Sequence, residues 1–283
     1  MILITGATGT FGSHVANQLI SNGEKIVVAS STKEKLESKF GGKAVIRSFN
    51  WGDNESYDAV LKDITTVYLI APPFSVGFDK NVERFVTAAS KNGVQHIVLT
   101  TAFGVDQAKG TSGYNSEQIL KNSGINFTIL RPNFIFQNFI NYDLDFIKNG
   151  KIFYSAGNGA TSYIDVRDVA AVSAIILMHP EKFTSQELTL TGTEALTHYE
   201  MADIFSEVLG RKVEYVNPTE EEYKATLNSY NVPANVYDFM ATLYQGIKAG
   251  YMASVTSVVE DVLNKKPNSF RSFVKENKNI FNS

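Results

Sequence analysis

The seven residues Gly6-Ala7-Thr8-Gly9-Thr10-Phe11-Gly12 constrain this chain more than any other stretch. They follow a short apolar run, Ile2–Thr5. They lead into a segment whose Phe11, Val15, Leu19 and Ile20 fall on one helical face, closed by Asn22-Gly23. A second apolar run, Lys25–Ala29, comes next, so the pattern is strand, glycine turn, helix, strand. A strand entering a helix through so tight a turn aims backbone N–H groups and the positive end of the helix dipole at one point. Glycines there let a diphosphate approach the backbone with no Cβ in its way. The spacing is G-x-x-G-x-x-G rather than G-x-G-x-x-G, but the strand and helix that a dinucleotide loop needs are both in place. A glycine-rich turn that binds nothing is the competing reading.

The same rhythm continues. Short β-branched runs at Ala44–Ser48, Thr66–Ile70, His96–Thr100 and Asn126–Leu130 are apolar on both faces, as strands inside a parallel sheet must be. Helical spacing lies between them, for example Phe78, Val82, Phe85, Val86 and Ala89 closed by Asn92-Gly93. Six strands alternating with helices predict an α/β, doubly wound parallel sheet, because parallel neighbours need crossovers. Past residue 131 the rhythm changes. Asp143–Lys148 and Val166–Met178 read as helices, Glu187–Leu190 and Val213–Val216 as strands, and Thr197–Leu209 as a capped amphipathic helix. Residues 219–280 read as helices broken at Pro233 and Pro267. The expected organisation is a nucleotide-binding domain over 1–150 and a smaller, mostly helical C-terminal lobe over 151–283, with some segments returning to the sheet.

Composition removes several function classes. Lys+Arg 26 against Asp+Glu 29 leaves a net charge of −3, so no electrostatic bias toward nucleic acid is expected. The longest apolar stretch, Val169–Met178, is interrupted by Ser173 and is too short to span a bilayer. With Cys 0 there is no thiolate nucleophile and no Cys-ligated metal, and the four histidines stand singly, so no metal site is expected. The opening Met1-Ile2-Leu3-Ile4 has no basic region before it, which with zero cysteine predicts a cytoplasmic protein.

The end of the second strand bears on which dinucleotide binds. A carboxylate there would hydrogen-bond an adenosine ribose 2′-OH, whereas this chain carries Ser30-Ser31-Thr32-Lys33. Hydroxyls and a lysine suit a 2′-phosphate, so NADP(H) is preferred over NAD(H). Ser30 and Ser31 merely capping the next helix, with Lys33 solvated, is the bland alternative.

These residues resemble the atypical short-chain dehydrogenase/reductase superfamily and, within it, the NmrA-like branch. The glycine loop is similar to the superfamily's nucleotide loop. Leu130-Arg131-Pro132-Asn133-Phe134 with Asn138-Phe139, and Ser162-Tyr163-Ile164-Asp165-Val166-Arg167-Asp168-Val169-Ala170, look like stretches of that branch. So do Leu188-Thr189-Leu190-Thr191-Gly192 and the closing Lys266-Pro267-Asn268-Ser269-Phe270. The resemblance implies a Rossmann-type fold and coenzyme contacts at Gly6, Thr8, Gly9, Thr10, Phe11, Gly12, Ser30, Ser31, Lys33 and Asn50. It extends them to Ala71-Pro72-Pro73 on the adenosine side and to Thr100-Thr101-Ala102 and Pro132-Asn133-Phe134 near the nicotinamide.

One departure shapes the functional expectation. Relatives acting on alcohols and sugar carbons use a Tyr-x-x-x-Lys helix whose lysine lowers the tyrosine pKa. Here that helix reads Gly113-Tyr114-Asn115-Ser116-Glu117-Gln118, with no lysine four residues after Tyr114, and Tyr244…Lys248 far downstream is coincidental. Epimerase chemistry is therefore disfavoured, and no catalytic side chain is assigned. A flat, electron-poor, quinone-like acceptor needs only orientation and desolvation. Phe74, Phe103, Phe134, Phe136, Phe139 and Tyr142 are candidate pocket walls. The resemblance also admits a cofactor sensor that binds a protein partner and turns nothing over.

Overall fold

In the computed structural model, which describes residues 1–72 and 77–283, contacts divide the chain into two compact units. The first comprises Met1–Pro132 and Val166–Leu190, the second Asn133–Asp165 and Thr191–Ser283. The divisions fall after residues 132, 165 and 190 rather than once at 150, because Val166–Leu190 supplies a helix and a strand to the first unit.

That unit is built from β1 (Ile2–Ile4), β2 (Ile26–Ser30), β3 (Val45–Ser48), β4 (Thr66–Ile70), β5 (His96–Thr100) and β6 (Asn126–Pro132). The helices α1 (Thr10–Ser21), α2 (Lys33–Phe40), α3 (Glu55–Leu61), α4 (Asp79–Lys91) and α5 (Ser112–Lys121) alternate with them. Among the described residues the sheet has seven strands, in the order β3-β2-β1-β4-β5-β6 followed by Gln186–Leu190, and all its pairings are parallel. β1 lies between β2 and β4, where the order of strands reverses and Rossmann-type folds bind their ligands. Leu3, Val27, Val67, Leu69, Ile97 and Leu99 face a core shared with Tyr57 and Val60 of α3 and Phe85 and Val86 of α4. The alternate residues, including Ile4, Val28 and Tyr68, turn to the side where α1 packs on the helix Val166–Met178. β3 departs from the reading of strands apolar on both faces. Among the described residues it has one neighbour, and Val45 is 49% exposed.

The second unit gathers aromatic rings around the helix His198–Leu209. That helix starts with a capping box in which Thr197 and Glu200 satisfy each other's backbone N–H. Phe205 meets Phe139 at 5.5 Å, Phe270 at 5.2 Å and Phe281 at 5.1 Å, edge on in each case. Two small sheets, Lys151–Phe153 with Glu214–Val216 and Ala160–Thr161 with Leu196–Thr197, complete it. Among the described residues no helix is long and apolar enough to cross a membrane, and no cluster of three or more His, Asp or Glu is placed to hold a metal.

Candidate functional site

The glycine loop leaves β1 at Gly6, whose φ of +60° only glycine adopts without strain. A Cβ at Gly6 would also strike Ile70 Cγ2 at 2.8 Å. The Gly9 N–H donates to the Gly6 carbonyl at 2.9 Å, closing the turn. Gly12, in the first turn of α1, sits directly on the Gly6 and Thr5 carbonyls with no room for a Cβ, so helix and strand meet backbone to backbone. Gly9 takes the N-cap place of α1 in an extended conformation, has no side chain to cap with, and is exposed. No acidic residue stands in the first turn of α1, so nothing there competes with an anion. A diphosphate fits this cradle: its glycines are spaced so that one turns the chain, one keeps an open approach and one admits close packing.

Parallel pairing brings the ends of the other strands to the same edge of the sheet. At the end of β2, Ser30 Oγ lies 3.4 Å from Thr8 Oγ1 and accepts from the Thr32 N–H at 3.2 Å. Ser31 and Lys33 are exposed. Lys39, which sequence reasoning passed over, reaches back from the last turn of α2 and donates from Nζ to the Thr8 carbonyl at 3.1 Å. Asn50 is exposed, and its side chain accepts from the Gly52 N–H at 3.0 Å, so it shapes its own turn. Ala71 and Pro72 are exposed beyond β4, while Pro73 and Phe74 lie outside the described residues.

Beyond β5 Thr100 is buried, and the Thr101 hydroxyl donates to Glu117 Oε1 at 2.7 Å. Glu117 is fully buried on α5 and forms a two-pronged pair with Arg131 of β6, at 2.9 and 2.6 Å. Arg131 also donates to Glu187, at 2.5 Å, and Glu187 pairs with Lys121 at 2.6 Å. Hydrogen bonds from Lys121 and Arg131 hold the Glu187 carboxyl below the usual range, against the opposing effect of burial. Thus α5, which in alcohol-acting relatives carries the proton relay, here carries a carboxylate locked in a buried ion pair. Sequence reasoning missed this network, whose members lie 14 and 56 residues apart. Ala102 is exposed, and the half-buried Phe103 donates its N–H to the Pro132 carbonyl at 2.9 Å.

The remaining candidates belong to the second unit. Asn133 donates to Ser162 Oγ at 2.9 Å and to the Met252 carbonyl at 3.0 Å, and accepts from the Phe134 N–H at 2.9 Å. Its amide therefore clasps the segment around Met252. Phe134 is half-buried against Tyr163, and Tyr142 is 68% exposed. Phe136 packs on Phe270 and Phe273, and Phe139 is 0% exposed among Tyr163, Phe205 and Phe270, so both rings serve the core. Tyr244 is buried and its hydroxyl meets that of Tyr223 at 3.2 Å, while Lys248 donates to Ser155 at 3.2 Å. Burial pushes the Tyr244 phenol well above its ordinary pKa, opposite to what a proton-shuttling tyrosine requires.

The sequence profile of the NmrA-like family matches residues 1–274. An uncharacterised oxidoreductase of Bacillus subtilis is 31% identical over 96% of this chain and 93% of its own. An NAD(P)H azoreductase of Xenophilus azovorans is 29% identical over 97% of each chain. The solved structure of an Escherichia coli NADPH-dependent quinone oxidoreductase complexed with NADPH superposes with a TM-score of 0.88 at 23% identity. It covers 98% of this chain and 99% of that one.

Proposed function

The chain belongs to the NmrA-like family, and from that premise we propose that it is a reductase. It binds NADP(H) in preference to NAD(H) and passes hydride to a flat, quinone-like small molecule. The observation that carries this is the backbone contact of Gly12 with Gly6, which opens the first turn of α1 to a diphosphate. The similarity to an uncharacterised oxidoreductase and to an NAD(P)H azoreductase supports the reaction class.

When bound, the coenzyme would supply the hydride. Gly9 and the start of α1 would hold its diphosphate, and Thr8, Ser30 and Ser31 would meet its adenosine ribose. The ends of β5 and β6 form the nicotinamide side of the sheet edge, with Thr101 held in place by Glu117. No tyrosine–lysine pair stands ready on α5, which favours an acceptor protonated by water. Of the aromatic candidates in the first unit, Phe103 retains surface to offer an acceptor.

Calorimetry with NADPH and NADH, followed by NADPH oxidation across a panel of quinones and azo dyes, tests the reading. Binding of coenzyme and turnover of at least one flat acceptor is the expected result. Coenzyme binding with no turnover across the panel would replace the reductase with a coenzyme sensor.

A further inference from the structure

We propose that Lys39, and not Lys33, is the cation that recognises the coenzyme's 2′-phosphate and so sets the preference for NADP(H). The inference rests on the coenzyme reading above and names the residue within it that selects.

Three observations converge on this residue. First, α2 is anchored by Leu36 and Phe40, one turn apart and both fully buried, so Lys39 is carried on a fixed helix end. Second, its ammonium is placed at the glycine loop by the 3.1 Å hydrogen bond to the Thr8 carbonyl. The same Thr8 extends its hydroxyl toward Ser30 at the end of β2, the strand end where Rossmann-type folds receive an adenosine ribose. Third, Lys39 pairs with no carboxylate among the described residues. An ammonium has three donors, and a single carbonyl occupies one of them. A positive charge held at the backbone of Thr8, the residue whose hydroxyl meets that of Ser30, is a donor set that suits a phosphate monoester.

Lys33 lacks these features. It stands at the exposed start of α2, and its side chain makes no hydrogen bond or ion pair with any described residue. Proximity in sequence to the end of β2 makes it the obvious candidate, yet the helix runs on and returns a different lysine to the loop. A phosphate arriving beside Thr8 would draw on Lys39 by charge-assisted hydrogen bonds, with the Ser30 and Ser31 hydroxyls as neutral donors. The ribose 2′-OH of NAD(H) offers no charge to that ammonium, so Lys39 contributes to one coenzyme and not to the other.

The test is a set of dissociation constants for NADPH and NADH, measured by calorimetry on the wild type, Lys39→Met and Lys33→Met, with melting temperatures as a folding control. Methionine keeps the length of the lysine stem and removes its charge. Lys39→Met is expected to weaken NADPH about tenfold or more while leaving NADH and the melting temperature nearly unchanged. Lys33→Met is expected to leave both coenzymes within about twofold. Equal weakening of both coenzymes by Lys39→Met, no effect of it on NADPH, or a selective loss in Lys33→Met instead would each overturn the assignment. A wild type that binds NADH as tightly as NADPH would overturn it too, yet leave the coenzyme site standing. A wild type that binds neither would overturn the coenzyme reading itself.

Discussion

A Cβ at Gly12 would stand 2.3 Å from the carbonyl oxygen of Gly6 and 2.6 Å from its carbonyl carbon. Backbone atoms at such distances cannot swing aside as a flexible side chain can. Gly9 differs: its φ is −85° and the nearest protein atom to a Cβ would be 3.4 Å away.

Gly12→Ala should therefore lower both stability and coenzyme affinity, the first by about 1–3 kcal/mol as in other overpacked sites. Gly9→Ala should melt like the wild type yet bind coenzyme about tenfold more weakly, since its methyl points where the diphosphate approaches. Urea titrations and calorimetry on the two variants separate these effects. Wild-type affinity in Gly9→Ala would mean that the diphosphate lies elsewhere.

Arg131→Met should be among the most damaging single changes in the first unit. It strands Glu117, fully buried, with the Thr101 hydroxyl as its one remaining charge-assisted partner among the described residues. Removing one member of a buried pair costs about 3–5 kcal/mol. Urea midpoints should show it, and a loss below about 1 kcal/mol would indicate that water reaches Glu117.

Burial holds His96 and His198 at pKa values of about 4 in the folded protein, against 6.5 as the ordinary value. The unfolded chain then takes up protons first, so their contribution is intact above pH 6.5 and is lost as pH falls toward 4. The limit is about 3 kcal/mol apiece. Asp143, pushed up to about 7 by burial, acts with the opposite sign: its carboxyl prefers to be neutral, and the native state is penalised as pH rises from 3.8 to 7. Melting temperature against pH should show His96→Gln flattening the acid limb. Asp143→Asn, which keeps an acceptor for the Tyr154 hydroxyl, should gain stability at pH 8 and none near pH 3.5. A wild-type profile flat between pH 4 and 6.5, unchanged by His96→Gln, would contradict the histidine assignment.

Tyr114→Phe and Tyr244→Phe should each leave turnover of a flat acceptor within about twofold of the wild type. Tyr114 has Gln118 where a relay lysine would stand, and the Tyr244 hydroxyl is engaged with Tyr223. A loss of two orders of magnitude in either variant, the range of general acid catalysis, would restore a tyrosine proton donor.

Six strands of the first unit were legible because a parallel strand covered on both faces must be a short, apolar, β-branched run, and such runs stand out. The edge strand β3 was legible by the same composition and misread in burial, since sequence does not say which strand ends a sheet. The two- and three-residue strands Ala160–Thr161, Leu196–Thr197 and Lys151–Phe153 carry too few alternations to register as periodic. The glycine loop declared itself by local spacing alone. Lys39 did not, because its place at the loop depends on how far α2 runs before it returns. The Glu117–Arg131–Glu187 network is equally non-local. Phe136 and Phe139 looked like pocket walls for a reason that composition cannot resolve: a phenylalanine reads the same in a slot and in a core.

The strand Gln186–Leu190 closes the sheet next to β6 only after the chain has left the first unit at residue 132 and re-entered it at 166. A ribosome must therefore deliver at least 190 residues before β6 gains its outer neighbour. Until then the nascent sheet carries an unpaired edge for other chains to find. No single cut separates the two units, and a chain cut near residue 150 would lack both the helix Val166–Met178 and the seventh strand of the sheet.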